Sequence, residues 1–294
     1  MSEAAPPVPR FAPLKLLLAP ANLALILGLG ALAIPTLAGL GRQVWSTEAG
    51  AHGPIVLAVG AWLLVRGLVE VRPLMRPGSL ALVLIGLLFF LALYVFGRAF
   101  DFISLEVAGL YGAAVTLLYS RIGLKALASI AFPVLYLAFL VPPPGWLIDD
   151  ITAPLKQFVS WAATAIVASA GIPISREGVT LYVGSYQLLV EDACSGMNSM
   201  VGLIAVSLLY IYLLRASTLR YAALLAAATI PIAVIGNIIR IITLILLTHF
   251  YGDEVAQGFL HETAGLFLFA VALVLVFLLD MLLWRILPKT WKQS

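Results

Sequence analysis

The stretch YAALLAAATIPIAVIGNIIRIITLILL (Tyr221–Leu247) decides the fold. It is apolar all round a helix, and at a rise of ~1.5 Å per residue it is longer than the ~30 Å hydrocarbon core of a bilayer. It therefore reads as a membrane span with two exceptional residues, Asn237 and Arg240. An arginine inside a span costs about 2.5–3.5 kcal/mol on insertion scales, so it requires an acidic partner, a watery cavity or a function. Asn237 lies one turn earlier on the same helix face. Pro231 is expected to bend or loosen the helix below them.

Composition extends this reading to the whole chain. Of its 294 residues, 63% are hydrophobic and only 11% charged, with a mean hydropathy of +1.09. A soluble core of this size has no room for so much apolar surface. The net charge of +3 comes from basic residues scattered through short loops, which gives no nucleic-acid-binding face. The proline-rich start, Met1 to Arg10, leads into an apolar stretch too long for a cleavable signal segment, so none is expected.

An all-α integral membrane protein with about eight spans follows, near residues 15–40, 54–71, 79–97, 103–119, 126–141, 196–214, 221–247 and 262–284. Orientation comes from the basic residues. With the amino terminus in the cytoplasm, Arg10, Lys15, Arg72, Arg76, Arg121, Lys125, Arg215, Arg220, Arg285, Lys289 and Lys292 fall inside. Only Arg42, Arg98, Lys156 and Arg176 fall outside, with most loop acids. A rival topology that makes Leu155–Ala170 a further crossing would move the basic tail outside. That segment is instead expected to be an interfacial or re-entrant helix, with Pro154 in its first turn and Lys156 and Gln157 at its polar start.

The chain thus divides into a cytoplasmic tail (1–14), a five-helix membrane region (15–141), an extracytoplasmic segment (142–195), a three-helix membrane region (196–287) and a cytoplasmic tail (288–294). Within the extracytoplasmic segment the period shortens. Val179–Val183 and Tyr186–Val190 are β-prone runs joined by Gly184-Ser185, the signature of a tight hairpin.

That hairpin leads to Glu191-Asp-Ala-Cys194-Ser195-Gly196, which holds the only cysteine of the chain. An internal disulfide is excluded, so its role lies in packing or in thiol chemistry. The apolar run Met197–Leu214 begins just after it, and unsatisfied amides at a helix start favour a thiolate. Glu191 and Asp192 oppose this, since negative charge raises a thiol pKa. His261 opens His-Glu-Thr-Ala-Gly (His261–Gly265) at the outer mouth of the last span, at the expected height of Cys194. A neutral imidazole there can take the thiol proton and return one to a leaving amine, while Arg240 holds an oxyanion.

Taken singly, each has a plainer reading. A lone membrane cysteine behaves as a small hydrophobe, Arg240 can pair with an acid such as Glu262, and His261 can be a solvated interfacial side chain. Three anomalies at one height on one membrane face favour a common catalytic role.

Ala-Cys-Ser-Gly at the start of one span, Asn-Ile-Ile-Arg (Asn237–Arg240) in the next, and a His followed four residues later by Gly at the last resemble the three signature blocks of the exosortase/archaeosortase family. The resemblance covers about residues 80–285. It implies a membrane cysteine endopeptidase or transpeptidase of the cell inner membrane, with its active site on the extracytoplasmic face. Such enzymes cut exported proteins at a carboxy-terminal sorting signal made of a short motif, a transmembrane helix and a basic tail. By resemblance Cys194 is the nucleophile, Arg240 the oxyanion stabiliser and His261 the acid/base, with Asn237, Ser195 and Gly196 in support. Many bacterial exosortases carry a further carboxy-terminal extracytoplasmic domain. Here the chain stops soon after the eighth span, so such a partner is expected to be a separate protein or absent. Met197-Asn198-Ser199 also departs from the arginine-containing versions of several subtypes, which leaves the recognised motif open.

No cofactor and no metal are expected. His52, His249, His261 and Glu262 are the candidates for zinc, but the zinc-protease helix needs a second His where Gly265 stands. Arg66 and Glu70, spaced i, i+4, are expected to neutralise each other. Trp45, Trp146, Trp161 and Trp284 suit interfacial anchors, and Gly28, Gly30, Gly39 and Gly41 suit close packing of the first span. The alternative from another class is a transporter or an assembly subunit for envelope polysaccharide, with Asn237 and Arg240 lining a polar pathway.

Overall fold

A computed structural model describes residues 20–47, 50–189, 200–214, 219–252, 255 and 273–286. It divides into two compact units, residues 1–44 with 54–142 and residues 45–53 with 143–294. Among the described residues, five helices are long and apolar enough to cross a membrane, or six if Ala131–Leu140 and Gly145–Ser169 form one broken span. The protein is therefore a multi-pass, mostly helical membrane protein. The expected eighth span, 262–284, is described only from residue 273. The sixth, 196–214, is described as the 15-residue helix Met200–Leu214.

The first unit contains α1 (Pro20–Gln43), α2 (Gly53–Glu70), α3 (Leu80–Ala99), α4 (Ile103–Ser129) and the short α5 (Ala131–Leu137), which tightens into a 3-10 turn at Ala138–Leu140. α3 and α4 form an antiparallel hairpin closed by glycines. A Cβ on Gly97 would strike the Glu106 backbone, and one on Gly109 the Tyr94 backbone. Small residues let membrane helices approach at backbone distance. In the first span Gly28 and Gly30 have no atom within 4 Å of such a Cβ, whereas Gly39 meets Ile103 of α4 at 3.5 Å. The tightest approach, at backbone distance, is between α3 and α4.

The loop expected between residues 119 and 126 shrinks to a single non-helical residue, Gly123, at φ 73 and ψ 175. Its Cβ position lies 2.5 Å from the Arg76 carbonyl oxygen, so only glycine fits. Arg76 and Gly78 donate backbone bonds to Ile122 and Ser120 at 3.1 Å each, which fixes the break.

At the other end of the hairpin a buried carboxylate ties three helices. Glu106, 4% exposed, accepts from Thr36 Oγ1 of α1 at 2.7 Å and from Arg98 Nη1 of α3 at 3.1 Å. Beside it Tyr94 donates its hydroxyl to the Leu32 carbonyl at 3.2 Å. The Arg66–Glu70 pair forms as expected, at 3.3 Å and exposed.

The second unit begins with α6 (Gly145–Ser169), a 25-residue helix. The expected helix at 155–170 is its latter part. Pro154 and Lys156 lie in its interior, because the proline run at 142–144 that ends one helix also opens the next, with Pro144 as N-cap. Lys156 reaches back to Asp149 at 3.6 Å. A three-stranded antiparallel sheet follows, β1 (Ile174–Glu177), β2 (Thr180–Val183) and β3 (Tyr186–Leu189), in the order β1-β2-β3.

The expected hairpin is present, with Val183 paired to Tyr186 across Gly184-Ser185. Gly184 takes φ 61 at the first turn position, where a II′ turn wants glycine. β1 is additional. Leu181 and Val183 of β2 pack with Val159, Ala163 and Val167 of α6 and with Ile241 and Ile245 of α8 (Leu219–Tyr251). α7 (Met200–Leu214), α8 and a helix over 273–286, here α9, meet at Ile211, Leu225 and Val276.

Candidate functional site

The expected site draws on α8, the segment after β3 and the segment before α9. α8 runs without interruption through Pro231 and buries one face, formed by Thr229, Ala233, Asn237, Ile241, Ile245 and Thr248. These positions recur every three or four residues, the period of one helix stripe. Arg240 adjoins the stripe and is itself 2% exposed, and Asn237 is 4% exposed.

Among the described residues, Arg240 and Asn237 hold buried nitrogen donors without a partner, for nothing accepts from Nε or Nη1 of Arg240 or from Nδ2 of Asn237; the hydroxyls of Tyr136, Thr152, Thr164 and Thr248 are also unpaired. A buried donor without an acceptor costs about 1–3 kcal/mol, and more when it is charged. Native interiors satisfy such groups almost everywhere, and exceptions collect where a ligand or ordered water completes them. The helix thus presents, three residues apart, a planar cation and an amide with donors that face no acceptor among the described residues. This combination suits the oxygen of a carbonyl, a carboxylate or an oxyanion.

Cys194, Ser195, Gly196 and His261, with Glu191, Asp192 and Glu262, lie outside the described residues. The flanking elements are defined. β3 ends at Leu189, five residues before the cysteine, and Leu188 packs on the cluster that contains Ile241 and Ile245 of α8. α8 ends at Tyr251, and Gly252 just past it, with φ 84 and an N–H hydrogen bond of 3.1 Å to the Thr248 carbonyl, makes a left-handed helix terminus. A Cβ there would lie 3.7 Å from the Tyr186 hydroxyl at the start of β3. The Tyr186 hydroxyl of β3 therefore lies beside the end of α8, and the sheet meets α8 through β2.

The remaining candidates scatter. The His52 side chain packs on α7 at Gly202, 3.3 Å from a Cβ built there, and the His249 ring stands edge-on to Phe250 at 4.9 Å. Among the described residues no group of three or more His, Cys, Asp or Glu is placed to hold a metal. Trp146 and Trp161 are exposed, as interfacial anchors would be. Trp284 instead packs edge-on against Tyr221 at 5.7 Å. An apolar cavity of about 350 Å³ in the first unit, bordered by Leu25, Leu64, Tyr111 and Arg121, contains none of the expected site residues.

Two buried acids were not singled out from the sequence. Glu106 is one. The other is Asp280 of α9, 0% exposed, which accepts from Tyr210 of α7 at 2.8 Å and from Tyr221 of α8 at 2.6 Å. It joins the three helices that flank the expected motifs, at the end of α8 remote from Arg240. The signal was available, since an acid inside an apolar span is as expensive as an arginine.

The model of the transmembrane exosortase family (Exosortase_EpsH) matches residues 44–278, a span that includes positions 194, 237, 240 and 261. No curated protein and no solved structure matches the chain. With four fifths of its length matched, and with a multi-pass architecture that fits, this chain belongs to the transmembrane exosortase family.

Proposed function

We propose that the protein is a cysteine endopeptidase, or transpeptidase, of the inner membrane that cleaves the carboxy-terminal sorting signal of exported proteins on the extracytoplasmic side. The observation that carries this reading is Arg240, a buried arginine with two unpaired donors about 16 Å from the outer end of α8 at a helical rise of ~1.5 Å per residue. Chain connectivity supports it. Cys194 follows Leu189 by five residues, a tether of about 17 Å at most, and the sheet that ends at Leu189 packs on the turn of α8 just past Arg240.

In the reaction, the Cys194 thiol gives its proton to His261 and the sulfur attacks the scissile carbonyl carbon. The carbonyl oxygen becomes an oxyanion held by the guanidinium of Arg240. Collapse breaks the C–N bond, His261 returns the proton to the leaving amine, and the amino-terminal fragment remains as a thioester on Cys194. Water then releases a carboxylate, or an amine acceptor takes the acyl group as an amide. The substrate is an exported protein ending in a short motif, a transmembrane helix and a basic tail, and an accessory extracytoplasmic protein is a candidate partner.

The test is to incubate the purified protein with such a substrate and seek a hydroxylamine-sensitive mass increase on the peptide containing Cys194. The adduct is expected in the wild type, absent in Cys194→Ala, and accumulated in His261→Ala if histidine matters more for release than for attack. Normal cleavage by Cys194→Ala, or by protein alkylated at Cys194, would remove the cysteine from the mechanism.

A further inference from the structure

Building on the acyl-transfer reading above, we infer that Asn237 is the second donor of the oxyanion site, so that Asn237 Nδ2 and the Arg240 guanidinium act on one substrate oxygen. Both side chains are buried to within a few per cent of full, and both hold donors with no acceptor among the described residues. They stand at i and i+3 of a continuous helix, which brings their Cβ atoms to about 5–6 Å on one face. Two such donors on one rigid element can converge on a single oxygen without moving backbone, the arrangement that electrostatic stabilisation of a developing negative charge requires.

The surroundings supply no acceptor for the amide among the described residues. Asn237 continues the stripe of Ile241 and Ile245, whose side chains contact aliphatic residues of α6 and β2. Elsewhere in the unit Tyr210 and Tyr221 give their hydroxyls to Asp280, while the weaker hydroxyl donors of Thr152, Thr164 and Thr248 also lack a partner among the described residues. With no acceptor for Nδ2 among the described residues, an amide in that stripe costs stability, and an arriving acceptor supplies the bond it lacks. A residue of this kind has a recognisable signature. Replacing it with an apolar residue of similar size removes the desolvation cost, so stability holds or rises while function falls.

Because the chain has one cysteine, alkylation of the whole protein reports Cys194 alone, and the inference can be tested without a natural substrate. The probes are iodoacetate and iodoacetamide, which differ in whether they present a carboxylate to the donors. Wild-type protein in detergent should alkylate faster with iodoacetate. Asn237→Leu should lower the iodoacetate-to-iodoacetamide rate ratio by about tenfold, the loss of one bond to a charged acceptor, with an unchanged or higher melting temperature. Arg240→Gln should remove the preference altogether.

A rate ratio unaffected by Asn237→Leu would overturn the inference while leaving the cysteine mechanism standing. So would a fall in melting temperature of several degrees in both Asn237→Leu and the smaller Asn237→Ala, which would make the amide structural. No iodoacetate preference in the wild type would overturn the shared site itself. Normal substrate cleavage by Cys194→Ala would instead break the underlying acyl-transfer reading, so the two failures remain distinguishable.

Discussion

Glu106 in the first unit and Arg240 in the second are buried almost equally, at 4% and 2% exposure, yet the protein treats their charges in opposite ways. Around Glu106 the fold supplies donors from two other helices, Thr36 at 2.7 Å and Arg98 at 3.1 Å, and the carboxylate becomes a three-helix tie. Arg240 keeps Nε and Nη1 unmatched among the described residues. Burial therefore does not distinguish a structural charge from a functional one. What distinguishes them is whether the surrounding fold answers the group's hydrogen-bonding capacity, because an unanswered donor lowers stability and persists only where something else depends on it.

The largest effect expected from this contrast is at Arg240. Arg240→Lys keeps the charge and loses the planar fork, and removal of one oxyanion donor lowers turnover by about 10²–10³. Substrate processing should fall on that scale with no loss of melting temperature, as followed by the cleaved fraction per folded molecule. Full activity of Arg240→Lys would reduce the residue to a simple charge and erase its difference from Glu106.

Glu106 should respond in the reverse sense. Glu106→Ala removes the charged acceptor of Thr36, whose hydroxyl is left with the Leu32 carbonyl at 2.9 Å, and frees Arg98, whose side chain is already 50% exposed and so regains water cheaply. A loss of about 1–3 kcal/mol in stability is expected, read as a lower melting temperature in detergent, with processing per folded molecule unchanged. A catalytic defect in a fully folded Glu106→Ala protein would place this carboxylate in the functional class and break the contrast.

How far the sequence anticipates these features depends on how local their causes are. Arg240 is legible because a single cation in an apolar run of 27 residues contradicts its surroundings. The β2–β3 hairpin is legible because Gly184-Ser185 sits between two β-prone runs, and turn chemistry is local. β1 is not, since Ile-Ser-Arg-Glu at 174–177 has one apolar side chain and is held by its pairing with β2. The start of α6 is missed because Pro154 fits a first turn equally well, whereas the helix opens ten residues earlier at Pro144. Gly97 and Gly109 matter through what lies opposite them, and no sequence window contains that partner. At the site, Asn237 and Arg240 are read as one seam and are found on one buried face. The placement of Cys194, Ser195, Gly196 and His261 beside them lies outside the described residues.

The smallest effect gives the sharpest form of the comparison, because it uses one substitution twice. Thr36 and Thr248 are both fully buried, at 0% and 1% exposure. The Thr36 hydroxyl binds Glu106, whereas that of Thr248, two turns beyond Arg240 on α8, has no partner among the described residues. Threonine to valine conserves shape and deletes only the hydroxyl. Thr36→Val should cost about 1–2 kcal/mol, since it removes a bond to a charged acceptor. Thr248→Val should be neutral or stabilising by up to about 1 kcal/mol, since it removes an unanswered polar group. Melting temperatures of the two variants in one detergent check the opposite signs. A stability loss at Thr248 equal to that at Thr36 would mean that its hydroxyl is satisfied in the folded protein. The carboxy-terminal half of α8 would then be as internally complete as the Glu106 tie, and the orphaned donors of Arg240 would lose their significance as a mark of the site.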